Sequence, residues 1–444
     1  MNRHLLGFQP ATFSRRRDRV REQLRGGVLV LPAAPVLRRS RETEHRYRPD
    51  SELFYLTGCV EPEVVAVFRG EGEDSFSLFM PRRDPESEMW SGPRMGPEEA
   101  QELFRADSVH LLDEMEDLLP GLLQAHERVF FRLGRSSRVE NLVTGALEWA
   151  RNRGQREGKG PRAVEDPGQI LDDLRLLKDP EEITRIRTAT TLTAGAFEET
   201  LAGTRPGMGE WDVEALLESS FRRGGAEGAA FPTIVGSGRN GCILHYVDNR
   251  ASIHQDDLVL LDGGAEIGLY SGDVTRTYPA GGRFTPRQRE VYEIVRRAHG
   301  AAISQLRPGS TLAQVHEAAL EALIDGLVDL EVLSGKVGDL LEAEAYKPYF
   351  PHRTSHWLGL DVHDVGDYAS NGRQRVLEPG MVLTVEPGLY FSPVPGARPN
   401  PFEGIGVRIE DDILVTEDGA ENLTGSLPVS PEEVEALAGA GPKG

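Results

Sequence analysis

The chain has little cysteine: Cys59 and Cys242 are its only two among 444 residues, far apart and without CxxC spacing. A disulfide framework or a zinc–thiolate site is therefore not expected, and the composition suits a reducing cytoplasm. No apolar run is long enough to cross a bilayer. The N-terminal stretch MNRHLLGFQPATFSRRRDRV has only a short apolar patch and no small-residue cleavage site, so no signal peptide is expected. Basic residues are in deficit, with 50 Lys and Arg against 71 Asp and Glu, for a formal net charge of −21. That balance argues against nucleic acid or an anionic membrane as partner and leaves the substrate open. The zincin signature HExxH is missing as well. His352 and His356 have its spacing, but Arg353 follows the first, and Pro351, Gly359 and Asp361 favour loop and strand over helix.

What is present is an ordinary soluble composition, 39% hydrophobic and 27% charged, in a chain longer than one core usually holds. Two domains are the expectation. Residues 11–25 read as an amphipathic helix stopped by Gly26-Gly27, Val28 to Leu31 as a short strand, Val64–Phe68 and Ser75–Met80 as a hairpin, and Arg128–Leu133 as a further strand. The polar run RNRGQREGKGPR (151–162) is the best linker candidate by composition. Beyond it, Asp179, Pro180 and Glu182 make a capping-box pattern that opens a helix running to about Ala202, and the signature recurs at Thr285-Pro286 and Ser430-Pro431. Helices also fit 209–223 and 311–328, and strands fit 258–263, 273–278, 381–386 and 406–416. This alternation of helices with antiparallel strand pairs predicts an α+β architecture rather than repeated βαβ units.

The chemistry concentrates in LVLLDGGAEIGLYSGDVTRTY, from Leu258 to Tyr278. An apolar strand ends in Asp262, glycines mark a reversal, and Asp273 opens the return. Folded about positions 267 and 268, the hairpin puts Asp262 and Asp273 opposite each other on one face. Either a cation sits between the two carboxylates, or they cap strand ends near solvent. A weak echo follows: DLVLLDGG resembles GMVLTVEPG, where the strand ends in Glu386, and Glu410 sits in GVRIEDDILV among apolar residues at period two. Acids inside such strands need partners. Arg408 shares a face with Glu410 and either neutralises it or lines the same pocket. Among the histidines of PHRTSHWLGLDVHD, a core histidine beside Trp357 and a metal ligand are both readings of the local sequence. Four acids with one neutral imidazole balance two divalent cations, and oxygen-rich ligation with one nitrogen suits manganese, with cobalt, iron or zinc open.

In the contexts LDGG, SGDVTRT, SHWLGLDVHDVG, TVEPGLY and GIGVRIEDD, the residues Asp262, Asp273, His356, Glu386 and Glu410 resemble the ligand set of the pita-bread metallopeptidase family, in its aminopeptidase P (Xaa-Pro aminopeptidase) branch. YRPDSELFYLTG, TIVGSGRNGCILHY and ENLT extend the likeness over almost the whole chain. The resemblance implies a creatinase-like α/β N-terminal domain over 1–174 and a pita-bread catalytic domain over 175–444. It implies hydrolysis of the N-terminal Xaa-Pro bond of peptides with proline at position two, through a hydroxide bridging two divalent metal ions, usually Mn2+. In that reading Glu386 is both ligand and proton acceptor, while His245, His363 and Arg408 assist catalysis. His352 and Tyr390 bind substrate, and Arg408 and Tyr390 support the ligands. A proline-shaped surface is expected from apolar residues around His363 with the Trp357 region. The resemblance further implies a cytoplasmic homodimer or homotetramer. Trp90 either closes a neighbour's pocket or is an ordinary core or interface tryptophan. One departure stands out. The family's His-Gly-Leu-Ser-His run is His352-Arg353-Thr354-Ser355-His356 here, which adds charge at the substrate entrance. A prolidase specific for Xaa-Pro dipeptides, a pita-bread binding protein without catalysis, and creatinase-type hydrolysis are the competing readings, and the full ligand set disfavours the last two.

Overall fold

In a computed structural model that describes residues 4–72, 74–370, 372–393 and 400–439, the chain divides into two units, Met1–Leu174 and Arg175–Gly444. The first unit is built on one mixed six-stranded sheet. Its order is Ser108–Leu111, Phe76–Met80, Val65–Arg69, Val28–Pro32, Arg128–Phe130 and Ala163–Glu165. Val28, Val30, Val65, Val67 and Phe79 point to one face, where the helices Met115–Gln124 and Ser137–Asn152 cover them with Leu119, Leu123, Val139 and Val143. This is the alternation that a sheet buried by helices requires. The polar run at 151–162 is not a linker between the units. Its first residues end the helix Ser137–Asn152, Gly154–Arg156 form a 3-10 turn, and the Arg162 amide donates to the Glu127 carbonyl at 2.7 Å as the chain enters the edge strand. Its polarity reflects a solvated connection inside the first unit. Trp90, on the short helix Pro85–Ser91, is 87% exposed, which excludes the core reading.

The second unit opens with the helix Pro180–Gly203. The Asp179 carboxylate accepts from the amides of Glu181 and Glu182, and Glu182 returns a bond to the Asp179 amide at 3.0 Å. Thr285 with Gln288 and Thr311 with Gln314 close the same reciprocal box on Pro286–Ser304 and Leu312–Asp329. Among the described residues every strand pairing in this unit is antiparallel. Two hairpins position the site: Leu258–Gly263 with Val274–Pro279, and Val382–Val385 with Asp411–Thr416. They meet where Thr275 bridges to Glu410. The helices and these strands enclose a large apolar core that includes Phe197, Leu217, Val259, Leu261, Tyr292 and Val407.

The hairpin register differs from the sequence expectation by two residues in pairing, because the turn lies one residue further on. Asp262 pairs with Thr275, not with Asp273, and Ile267 pairs with Tyr270. The reversal is at Gly268 (φ 58°) and Leu269 (φ 69°), both left-handed, as a type I′ turn demands. A leucine in that conformation has no sequence signal. Asp273 still shares a face with Asp262, because it lies two positions along from the residue opposite Asp262 and strand side chains alternate. The expected strand 406–416 is also divided, into Gly406–Arg408 and Asp411–Thr416, whereas the strand expected over 381–386 is Val382–Val385, followed after Glu386 and Pro387 by a separate short strand, Gly388–Tyr390. Glu410 and Glu386 occupy the two breaks, where the chain bends and re-aims its side chains, as at a bulge.

Because the Asp179 box starts the helix that leads into this unit, Asp179→Ala should lower its stability by about 1 kcal/mol in denaturant titration. A change indistinguishable from zero would show that tertiary packing alone fixes the helix start.

Candidate metal centre

A cavity of about 1000 Å³ in the second unit is lined by Asp262, Asp273, His356, Glu386 and Glu410, and by His245, His352, His363 and Arg408. The floor is buried: Asp262, Asp273 and Glu410 are 7%, 4% and 2% exposed. Glu386 and His356 are half-buried, and His245 and His363 lie on the more exposed side. Each floor residue comes from a different structural device. Asp262 ends a central strand, Asp273 precedes its partner, and the glutamates fill the two strand breaks. His356 arrives on a segment that adds to the second hairpin, where the Thr384 amide donates to the His356 carbonyl at 2.9 Å and Trp357 bridges to Leu383.

The side chains have one atom tied and one atom aimed at a common centre. Arg408 donates to Asp262 Oδ2 at 2.5 Å, while Asp262 Oδ1 is buried with no partner among the described residues. Thr275 donates to Glu410 Oε2 at 2.6 Å, while Glu410 Oε1 is likewise buried and unpartnered. His356 Nδ1 donates to the Trp357 carbonyl at 3.0 Å, which leaves Nε2 bare, 3.3 Å from Asp273 Oδ2 and 3.7 Å from Glu386 Oε1. Asp273, His356 and Glu410 offer ligand atoms within 4.8 Å of one another. A buried oxygen without a donor costs about 1–3 kcal/mol, and more when charged. Two of them facing a bare imidazole nitrogen and a further carboxylate fit a cation.

Electrostatics agree. Burial, then the neighbouring Asp262, Asp412 and Glu386, pushes the Asp273 carboxyl well above its usual range. Burial and then Asp273, Glu386 and Asp262 do the same to Glu410. Burial raises Glu386 to about 6, against the pull of His356 and Arg408. Such acids lie high because like charges are packed in a dry place, and a divalent ion relieves this.

Arg408 is the hub of the surrounding network. Besides Asp262, it donates from Nε to Thr275 Oγ1 at 3.0 Å, and Thr275 passes a bond to Glu410. A third donor goes to the Tyr390 hydroxyl at 3.1 Å, which lies 2.8 Å from His352 Nε2. Burial, with Arg408 nearby, pushes His352 down to about 3, so it is neutral and its Nδ1 donates to the Arg353 carbonyl at 2.7 Å. Arg408 therefore does not pair directly with Glu410 but acts on it through Thr275. Tyr390, expected to touch substrate, is 2% exposed and does not line the cavity; it joins His352 to Arg408. Trp357 is also absent from the wall. It is fully buried, stacked on Tyr368 at 5.3 Å, with its indole donating to the Gly366 carbonyl. The apolar wall is Phe231, Pro232, Leu244, Val247, Val362 and Tyr368. Burial, then His356 and His245, lowers His363, whose ring packs edge-on against His356 at 4.4 Å.

Several residues escaped the sequence reading. Thr275 stands in the SGDVTRT run, where a strand threonine gives no hint that it links Arg408 to Glu410. Asp412 accepts the Asp273 amide at 2.9 Å, and only the rare acid triplet at 410–412 could have pointed to it. Asp364 is gripped by Arg175 at 2.5 Å and Lys178 at 2.9 Å, fixing the loop between His356 and His363. Burial pushes the Asp364 carboxyl up, but Lys178 and Arg175 outweigh it and hold it below the usual range.

Comparison with known proteins decides the class. Residues 184–417 match Metallopeptidase family M24, and residues 13–130 match the aminopeptidase P N-terminal domain. The chain belongs to metallopeptidase family M24. It is an enzyme of the Xaa-Pro aminopeptidase kind, in which an aminopeptidase P N-terminal domain is followed along the chain by a pita-bread domain. The Xaa-Pro aminopeptidase of Escherichia coli is 42% identical over 96% of this chain and 97% of its own length. An aminopeptidase of Pseudomonas aeruginosa superposes with a TM-score of 0.92 at 41% identity, covering 98% of both chains. A substituted E. coli aminopeptidase P in complex with substrate matches with the same TM-score and identity, over 98% of this chain and 99% of the other.

Two measurements follow from the geometry. The metal-free folded state holds protons on Asp273, Glu386 and Glu410 that the unfolded chain loses near pH 4, so its stability falls as pH rises through 6 and above. A divalent ion displaces those protons. By calorimetry, its addition to chelated protein should raise Tm more at about pH 7.5 than at about pH 5.5. Equal gains would mean that the acids are not the ligands. At Gly359, an added Cβ would lie 2.1 Å from Asp364 Oδ2 and 2.9 Å from Lys178 Cε. Gly359→Ala should cost about 1–3 kcal/mol, read from chemical denaturation.

Proposed function

We propose that this chain hydrolyses the N-terminal Xaa-Pro bond of peptides with proline at position two, using two divalent metal ions, most aptly Mn2+. The observation that supports this best is the convergence of atoms left over once each ligand's other atom is tied. Asp262, Asp273, His356, Glu386 and Glu410 would hold the ions. When bound, such a pair lowers the pKa of water and polarises a carbonyl. The four carboxylates carry −4 and Arg408 +1, so two divalent ions leave the floor at +1, a setting for developing negative charge, whereas one ion leaves −1.

The protein's own groups do the rest. Glu386, on the cavity wall 3.7 Å from His356 Nε2, is the carboxylate placed to take the proton of the attacking water. His363, kept neutral by burial and neighbouring imidazoles, and His245 across the cavity donate to the carbonyl oxygen as charge grows there. His352 presents a fixed neutral ring through Tyr390 and Arg408. An Xaa-Pro bond is a tertiary amide without N–H. A cavity that recognises it needs no acceptor at that nitrogen, only an apolar wall for the ring, and Phe231, Leu244, Val247, Val362 and Tyr368 supply one. Arg353 adds a cation beside this wall. We further infer a cytoplasmic homodimer or homotetramer. Two buried free cysteines suit that compartment, and exposed Trp90 and Met89 offer apolar surface to a second copy.

Purified protein loaded with manganese should release the first residue of an Xaa-Pro-Pro peptide, and chelation should stop it. Turnover of Xaa-Pro dipeptides alone would make the enzyme a prolidase, and no turnover of any such peptide would overturn the reading. Glu386→Gln should lower kcat by roughly 10²- to 10⁴-fold. Asp273→Ala or Glu410→Ala should abolish metal loading in elemental analysis, and full activity in either would sink the ligand assignment.

A further inference from the structure

Six charged side chains line the cavity among the described residues. Four are the clustered carboxylates, and Arg408 is bound to Asp262. The sixth is Arg353, which is exposed and whose guanidinium has no carboxylate partner among the described residues. Its root, by contrast, is fixed on both sides. The Arg353 carbonyl accepts from His352 Nδ1 at 2.7 Å, the Thr354 hydroxyl is 2.6 Å from His316 Nδ1, and the Thr354 carbonyl accepts from the Glu386 amide at 2.8 Å. Arg353-Thr354 is also where this sequence departs from the usual His-Gly-Leu-Ser-His run.

The surroundings leave the cation unanswered. His316 is the nearest titratable group on the facing helix. Burial, with Arg353 beside it, pushes His316 down to about 4, so it is neutral. Apart from the four clustered carboxylates, no acid lines the cavity among the described residues. A guanidinium on a held backbone in a peptide-binding cavity presents a fork that matches a carboxylate. Only the head loses freedom on binding, so the entropy cost is small.

We propose that Arg353 forms a carboxylate subsite in the substrate cavity, reading either the C-terminal carboxylate of a short peptide or an acidic side chain beyond the proline. The proposal rests on the Xaa-Pro aminopeptidase reading. It commits the cavity to a ligand chemistry that neither the metal floor nor the apolar wall supplies.

The test uses the full-length, manganese-loaded protein and an Xaa-Pro-Pro tripeptide as free acid and as C-terminal amide. The free acid should have a KM roughly three- to tenfold lower at low ionic strength. That gap should narrow as salt is added. In Arg353→Gln the acid-to-amide ratio of KM should approach one, and Arg353→Lys should keep part of the preference. Amidated tetrapeptides ending in Glu or Gln read the second source. A preference for Glu that Arg353→Gln removes assigns the subsite to side chains as well, and a preference confined to the free acid assigns it to chain ends. Equal KM values within both pairs in the wild type would overturn the subsite alone. So would a preference that survives Arg353→Gln. Cleavage of none of these peptides would overturn the aminopeptidase reading, and the subsite with it.

Discussion

The rest of the site depends on the repulsion among four carboxylates in one buried floor. Asp262, Asp273, Glu386 and Glu410 come from separate strand ends and breaks, and the fold brings them together where water cannot screen them. Left alone, they would hold protons or force the strands apart. Two devices in the chain manage this. Arg408 takes one oxygen of Asp262 and, through Thr275, one of Glu410. The oxygens that remain, Asp262 Oδ1 and Glu410 Oε1, have no donor among the described residues, which favours a divalent cation over a further side chain.

Rigidity behind the floor has a similar origin. Arg276 is fully buried and donates to the carbonyls of Thr275, Glu410, Leu427 and Pro428 and to the Asp411 carboxylate. His299 lies 3.1 Å from the other oxygen of Asp411. Glu410, which lines the cavity, and Thr275, which bonds to it, are thus also clamped through their carbonyls. The loop bearing His363 has its own anchor in Asp364, Lys178 and Arg175. Charges one layer away from the chemistry set where the chemistry can occur, which is the usual requirement for a metal site held within tenths of an ångström.

Much of this was legible from the residues, and the failures have physical causes. Helix starts were readable because capping boxes are local: Asp179, Thr285 and Thr311 open helices at the expected places. The common face of Asp262 and Asp273 was readable because strand side chains alternate. Their register was not, since it hangs on the left-handed Leu269, which tertiary context imposes against leucine's own preference. The end of a strand at Glu386 was readable from Pro387-Gly388, but the break at Glu410 was hidden for a related reason: an apolar alternation continues across a bend that only pairing partners create. Composition misled at 151–162, where a solvated turn looks like a linker. Trp357 misled in the other direction, since an aromatic next to a ligand histidine suggests a substrate wall, yet its side chain faces the core while His356 faces the cavity.

Neighbours in sequence do very different work in the segment that carries His356. Along 352–357, His352 and His356 face the cavity, Thr354 turns its hydroxyl to His316, and Trp357 is sealed in the core. The backbone between them is tied at almost every step, by the Glu386 and Thr384 amides and by His352 itself. A substitution in such a segment cannot be absorbed by moving the chain, so its effect appears in the side chain alone. Of the two residues that depart from the family run, Thr354 is turned to His316 and tied to the Glu386 amide, and Arg353 is left exposed on the cavity wall, where an incoming peptide meets its charge.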